Sequence, residues 1–244
     1  MSRNVARVYV EAPLAPGRRE SLQGGAANHV ARVLRLRAGD PLTLFDGRGG
    51  EYAAQIEAIR KDAVWVVVGE HAARERESPL PVTLAQGISR GERMDWVIQK
   101  ATELGVARIA PLLTERSVVH LDAQQARKRV QHWTAIAIAA CEQSGRTRVP
   151  KIESPLALQA FLDMGSEGER IVLSPHGSRH LAEIPTPLSA ATVLIGPEGG
   201  LAPAEAEAAV RAHFVPMRMG PRILRTETAA VCALTLLQHR FGDL

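Results

Sequence analysis

Three short stretches of this chain combine glycine, proline and charge: Ser174-Pro175-His176-Gly177, Gly196-Pro197-Glu198-Gly199-Gly200, and Gly220-Pro221-Arg222-Ile223-Leu224-Arg225-Thr226-Glu227-Thr228. Glycine lets the main chain approach a ligand closely, and a proline between glycines fixes one dihedral, so such a stretch is a stiff, bare surface. The second stretch directly follows the apolar run Val193-Leu194-Ile195. A purely structural turn rarely needs three glycines, a proline and an acid; a tight strand-to-helix corner is the lesser alternative, and Glu198 could as easily bond the corner's own amides as a ligand. In the third stretch Arg222 and Arg225 flank two apolar residues, and Thr226 reads as the N-cap of the last helix. The first turn of that helix would present unpaired amides and a positive dipole end, so an anion, or an oxygen gaining charge, would be stabilised there. Glu142-Gln143-Ser144-Gly145-Arg146 places further polar groups at the end of an apolar helix, where a solvated helix end accounts for them.

Other chemistries find no motif. The eight histidines offer no His-x-x-x-His on a helical pattern that would make a zinc site, since His176 and His180 fall in a glycine-containing loop, and the two cysteines, Cys141 and Cys232, each sit inside an apolar helical pattern and read as buried thiols, so neither a zinc site nor a disulfide framework is expected. A Walker loop ending in Lys-Ser or Lys-Thr and a Gly-x-Ser-x-Gly elbow are both absent. Gly47-Arg48-Gly49 resembles the opening of a dinucleotide fingerprint, but Tyr52 stands where the third glycine belongs and a strand follows instead of a helix.

The elements that must position these loops fall into two groups. From Arg7 to Gly69, β-like runs at Val8–Val10, Leu42–Phe45, Tyr52–Ile59 and Val64–Val68 alternate with turn residues, and Asp46-Gly47 with Gly49-Gly50 marks a hairpin. Residues 71–81 are charged and proline-punctuated, which predicts a linker over 73–81 between domains at 1–72 and 82–244. Beyond it, strands at Val82–Gln86, Arg108–Leu112, Ile171–Ser174, Thr192–Gly196 and Val215–Met219 alternate with helices. The helices are expected from about Glu92 to Leu104, closed by Gly105, from Asp122 to Gly145, near Ala204–His213, and over Glu227–His239. This alternation predicts a mostly parallel sheet with helices on both faces, and ligands bind such sheets outside the carboxyl ends of the strands.

Length and composition agree with that division. The chain has 244 residues, 45% apolar and 23% charged, enough for one large or two modest cores. No apolar run approaches the roughly 20 residues that span a bilayer, and Met1-Ser2-Arg3-Asn4 lacks the apolar stretch of a secretory signal, so a cytoplasmic location is expected. The net charge is +4, and 26 of the 30 basic residues are arginine. Arginine forks onto phosphate and stacks on bases, although a GC-rich genome would show the same bias. Residues 1–37 hold seven arginines against Glu11 and Glu20, the asymmetry of a nucleic-acid footprint.

Taken together, GPEGG at 196–200, GPRILRTETA at 220–229, IQKATELGV at 98–106, TERS at 114–117, EQSGR at 142–146, HVARVLRLRAGD at 29–40 and LFDGRGGEY at 44–52 resemble the RsmE family. That family methylates N3 of a uridine in 16S small-subunit ribosomal RNA, and the motifs span nearly the whole chain in the family's order. The resemblance implies a PUA-like β-barrel followed by a SPOUT-type α/β domain whose end is threaded into a trefoil knot. It also implies a homodimer that binds S-adenosylmethionine without a metal. Carried onto this sequence, the cofactor would lie against Leu173, Ser174, His176, Gly177, Ile195, Gly196, Glu198, Gly199, Gly200, Met219, Gly220, Ile223 and Leu224. Two departures are visible: Ala202 precedes Pro203 where a serine-like cap is usual, and Met219 replaces leucine before GPR. The first should cost the helix about 1 kcal/mol, whereas the second is a near-isosteric swap.

For the reaction so implied, uracil N3 must lose its proton, and the resulting charge spreads to O2 and O4. Arg225, with Arg116 of TERS, would donate to those oxygens, while Glu227 would accept the proton or orient Arg225. Arg7, His29, Arg32, Arg35 and Arg37 of the first domain would grip the RNA backbone, with a solvated helix face as the plainer account of Arg32 and Arg35. Two other readings stay open: ribose 2′-O methylation in the same cleft, and a non-catalytic RNA-binding or ribosome-assembly factor.

Overall fold

The structure, a computed structural model, describes residues 5–117, 119, 121–165, 167–180, 183–184 and 186–244; the opening Met1–Asn4 lies outside the described residues. The chain divides into two compact units, one running to Glu77 and joined by Cys141–Val149, the other made of Ser78–Ala140 and Pro150–Leu244.

In the first unit, β1 (Arg7–Tyr9), β2 (Arg19–Gln23), β3 (Pro41–Phe45), β4 (Glu51–Ile59) and β5 (Ala63–Ala72) form one mixed sheet in the order β1-β3-β4-β5-β2. The alternation along β4 and β5 buries Ala54, Ile56, Val64, Val66 and Val68 on one face, against Val8, Leu22, Val30, Leu42 and Leu44. The β3–β4 hairpin turns at 46–50 as its glycines predict, with Gly47, Gly49 and Gly50 all at positive φ. The sequence pattern does not show β2 or the compact stretch after it, α1 (Gly24–Asn28) running into one π-helical turn at His29–Val33. The alternation of β2, Arg-Glu-Ser-Leu-Gln, buries only Leu22, which is too weak a period to see.

The second unit is built from β6 (Val82–Gly87), α2 (Glu92–Glu103), β7 (Arg108–Leu113), α3 (Ala123–Ser144), β8 (Lys151–Ile152), β9 (Leu156–Ala157), α4 (Leu158–Asp163), β10 (Glu169–Leu173), β11 (Arg179–His180), β12 (Ala191–Ile195), α5 (Pro203–Arg211), β13 (Val215–Arg218) and α6 (Thr226–Phe241). The end of α3, from Cys141, belongs to the first unit. The strand order is β11-β13-β10-β12-β6-β7-β8, with β9 also pairing β7, and every pairing is parallel. Ala85, Val172 and Leu194 cluster with Leu158, Phe161 and Leu162 of α4 and Ala209 of α5, while α2 and α6 pack together and α6 lies on β6 and β12.

All five residues of β12 are buried, as expected of a central parallel strand covered on both faces. Burying Val193 and Leu194 completely contributes about 1.5–3 kcal/mol each. Gly105 ends α2 at a φ of 77° and Gly145 follows α3 at 85°, the left-handed conformation for which glycine is suited. The short elements β8, β9, α4 and β11 escape a pattern reading because none is long enough to show a period.

Among the described residues no helix is long and apolar enough to cross a membrane.

Candidate active site

The strand order decides where the three loops meet. β13, β10 and β12 are adjacent and parallel, so the segments after each of them open at the same edge of the sheet. There they enclose a cavity of about 1070 Å³, the upper range for small-ligand sites. Leu173, Ser174 and His176 line it from the first loop, Ile195, Gly196, Glu198, Gly199 and Gly200 from the second, and Met219, Gly220, Ile223 and Leu224 from the third, with Arg116, Arg225 and Glu227. Gly177 is not part of this wall. A Cβ there would fall 2.6 Å from the carbonyl carbon of Met217, so its glycine serves close packing on β13.

The second corner is held from outside. Arg116 Nη1 donates to the Gly199 carbonyl at 3.0 Å, and a Cβ on Gly87 would collide with Pro197 N at 2.5 Å. Glu198 Oε1 accepts from the Arg90 amide and from Arg93 Nη1, both at 2.9 Å. Burial alone would raise the Glu198 pKa, but the Arg90 amide, its own amide and the Arg93 guanidinium outweigh this and hold the carboxyl below its ordinary value. In TERS, Thr114 and Ser117 share a hydrogen bond of 3.0 Å, and the Glu115 amide donates to Glu205 Oε1 at 2.8 Å. Glu205 Oε2 accepts from the Ala202 amide at 2.9 Å, so the reciprocal half of a capping box survives where Ala202 has no oxygen of its own.

Thr226 departs from expectation. It is the first residue of α6, Arg225 holds the N-cap position, and no side chain caps the helix. The Thr226 hydroxyl instead donates to the Gly196 carbonyl at 2.7 Å and accepts from Gln86 Nε2 at 2.9 Å. A buried hydrogen bond therefore ties the start of the second corner to the end of the third loop. That third loop keeps its own groups open. Gly220 turns at a φ of 103°, a Cβ there would meet nothing within 4 Å, and among the described residues no hydrogen bond engages the main chain of Gly220–Leu224. Arg222 and Arg225 are exposed and form no ion pair among the described residues, and Ile223 is 78% exposed. Glu227 Oε2 is buried without a hydrogen-bond partner among the described residues.

Arg93, Met217 and the α5 residues Val210 and Arg211 also line the cavity. Nothing in their local sequence marks them, because only the strand order brings α5 and the start of α2 to this edge. Among the described residues no group of three or more His, Cys, Asp or Glu side chains could hold a metal ion.

Residues 76–238 match a family model described as an RNA methyltransferase domain, and residues 22–69 match one described as an RNA methyltransferase PUA domain. Ribosomal RNA small subunit methyltransferase E of Buchnera aphidicola subsp. Schizaphis graminum is 34% identical over the whole of both chains, and that of Bacillus subtilis is 34% identical over 90% of each. The chain belongs to the RsmE family. An RsmE structure from Neisseria gonorrhoeae, bound to S-adenosylmethionine, is 37% identical with a TM-score of 0.91, covering 99% of this chain and 100% of that one. Lpg2936 of Legionella pneumophila, solved with bound cofactor SAM, is 41% identical with a TM-score of 0.96 at the same coverage.

In the unit of this RsmE-family chain that contains the PUA match, Arg32, Arg35 and Arg37 are exposed and His29 is half-buried. Arg35 stands at a φ of 54°, and the Arg37 amide donates to Asp40 Oδ2 at 2.7 Å. Arg7 is engaged within the unit: it is ion-paired with Glu51, donates to the Arg146 carbonyl at 3.0 Å and covers the Phe45 ring at 5.0 Å. The EQSGR segment is no solvated helix end. The Arg146 side chain is 4% exposed and paired with Glu77, Arg148 pairs with Glu75 at 2.9 Å, and Glu142 Oε1 accepts from the Tyr9 amide at 3.0 Å. Burial raises the Glu142 pKa, only partly offset by the Tyr9 amide and by His29 and Arg7.

Proposed function

We propose that this RsmE-family chain transfers a methyl group from S-adenosylmethionine to N3 of a uridine in 16S ribosomal RNA. The observation that carries the reading is the buried Thr226–Gly196 hydrogen bond, which sets two bare corners side by side at a cavity lined by Arg225 and Glu227. The residues present fit the cofactor. Leu173, Ile195, Met219, Ile223 and Leu224 offer apolar walls for a purine, the free main-chain groups of Gly220–Leu224 offer donors and acceptors, and the unpartnered Glu227 oxygen offers a further acceptor. When bound, the sulfonium supplies an electrophilic methyl group.

The chain's own part is to present a deprotonated N3 in line with that methyl. Arg225, exposed at the cavity and free of any ion pair among the described residues, donates to a uracil oxygen and stabilises charge spreading from N3. Arg116 braces Gly199 with one N–H and keeps its other donors for the substrate. Glu227 accepts the N3 proton or orients Arg225, and its unpartnered oxygen suits either task. The rigid corners supply the alignment by position alone.

The RNA backbone is held by Arg32, Arg35 and Arg37 with His29. Three finer features belong to the same reading: a domain boundary within 73–81, a homodimer acting in the cytoplasm, and a trefoil knot. The return of Thr226 to Gly196 and Gln86, after β13 has paired with β10, supports the last of these.

The test incubates the protein with methyl-labelled S-adenosylmethionine and small ribosomal subunits lacking the modification, then digests the RNA. Label in N3-methyluridine is expected. Label on a ribose 2′-hydroxyl would replace the reaction, and no label together with no calorimetric binding of S-adenosylmethionine would leave an RNA-binding or assembly role.

A further inference from the structure

Gln86, near the end of β6, is fully buried, yet it does not line the cavity. Its neighbours determine how its amide must point. The single Thr226 hydroxyl proton goes to the Gly196 carbonyl at 2.7 Å, so whatever faces the hydroxyl at 2.9 Å has to be a donor. The Gln86 NH2 meets that requirement, and it also lies 3.1 Å from the Gly87 carbonyl. Its carbonyl oxygen is left buried with no hydrogen-bond partner among the described residues. An orphaned acceptor in a fully buried site is unfavourable, and leucine or methionine would fill the same space without it. The NH2 is therefore the part of this side chain with a task in the fold.

We infer that Gln86 is a positioning residue, which through the Thr226 hydroxyl holds the 196–200 corner and the 219–227 segment in register for methyl transfer; this deepens the function proposed above and rests on it. With the Thr226 hydroxyl engaged in the bridge, no side chain caps α6, and Arg225 stands at the N-cap position with an extended backbone, at φ −63° and ψ 152°. The Gly196 end carries the cofactor wall and the Arg225–Glu227 end carries the groups proposed to act on the base. A slip between them of about 1 Å is enough to cost on the order of 100-fold in rate.

The test uses the full chain and three variants, Gln86→Leu, Thr226→Val and Thr226→Ser, assayed on small ribosomal subunits with active sites counted by S-adenosylmethionine titration. Gln86→Leu and Thr226→Val should each lower kcat per titrated site at least tenfold, with KM for the subunits within about threefold of wild type. Thr226→Ser, which keeps the hydroxyl, should restore the rate. A purely structural role would instead lower the melting temperature and leave kcat per titrated site unchanged, and that result overturns the inference. The rate is read as methyl incorporation regardless of the atom modified. If the wild type methylates some atom other than uridine N3, the functional reading fails while the variants still decide the positioning role. A wild type that neither binds the cofactor nor transfers methyl overturns both.

Discussion

Replacing Arg225 by alanine separates the chemistry from the fold more cleanly than any other substitution in the cavity. The side chain is exposed, forms no ion pair among the described residues and caps nothing, so its loss should change stability by no more than about 0.5 kcal/mol. The cavity walls formed by Leu173, Ile195, Gly196, Met219 and Leu224, against which the cofactor is proposed to lie, all remain. The rate is another matter. Removing one preorganised donor from a developing oxyanion costs about 100- to 1,000-fold in kcat, or about 2.7–4 kcal/mol of transition-state stabilisation. Water competes for a guanidinium this exposed, which puts the expected loss near 100-fold. Arg225→Lys should recover part of it, since the charge is kept but the planar fork is lost. The assay is single-turnover methyl incorporation into small ribosomal subunits at saturating enzyme, beside calorimetric titration with S-adenosylmethionine. An Arg225→Ala rate within threefold of wild type would refute the assignment. So would a rate loss matched by an equal loss of cofactor affinity, because the arginine would then be binding the cofactor instead of stabilising the uracil anion.

Three further outcomes follow from the geometry. Arg146→Ala leaves Glu77 without its buried partner and should cost about 3–5 kcal/mol, read as a lower urea midpoint with no change in slope. The Glu142 pKa is raised by burial, so its ionisation disfavours the folded state as pH rises above the ordinary carboxylate value. Glu142→Gln, which retains an acceptor for the Tyr9 amide, should therefore be more stable than wild type at pH 7 and match it below about pH 4. Equal denaturant midpoints at both pH values would contradict this. Changing Arg32, Arg35 and Arg37 together to glutamine should flatten the salt dependence of RNA binding by roughly 0.7–0.9 in log–log slope for each phosphate that is no longer neutralised, and an unchanged slope would place the RNA elsewhere.

The amino-acid sequence by itself determined the kinds of element and the chemistry at their ends. Glycines at 47, 49 and 50 demanded a hairpin because they reach positive φ without strain, and the unbroken apolar run at 193–195 demanded a strand covered on both faces. The glycine and proline corners were visible for the same local reason. What an isolated segment cannot encode is its neighbour. The insertion of β12 between β10 and β6, which brings three loops and α5 to one edge, is decided by packing across the sheet. The same holds for Thr226, which local rules make a helix cap. The hydroxyl donates to a buried carbonyl at Gly196 while accepting from a buried amide at Gln86, and each would lose a partner without it, so tertiary contact overrides the capping preference. EQSGR reads as a solvated helix end because Glu75, Glu77 and Tyr9 lie far from it along the chain, and only the folded unit places them against it.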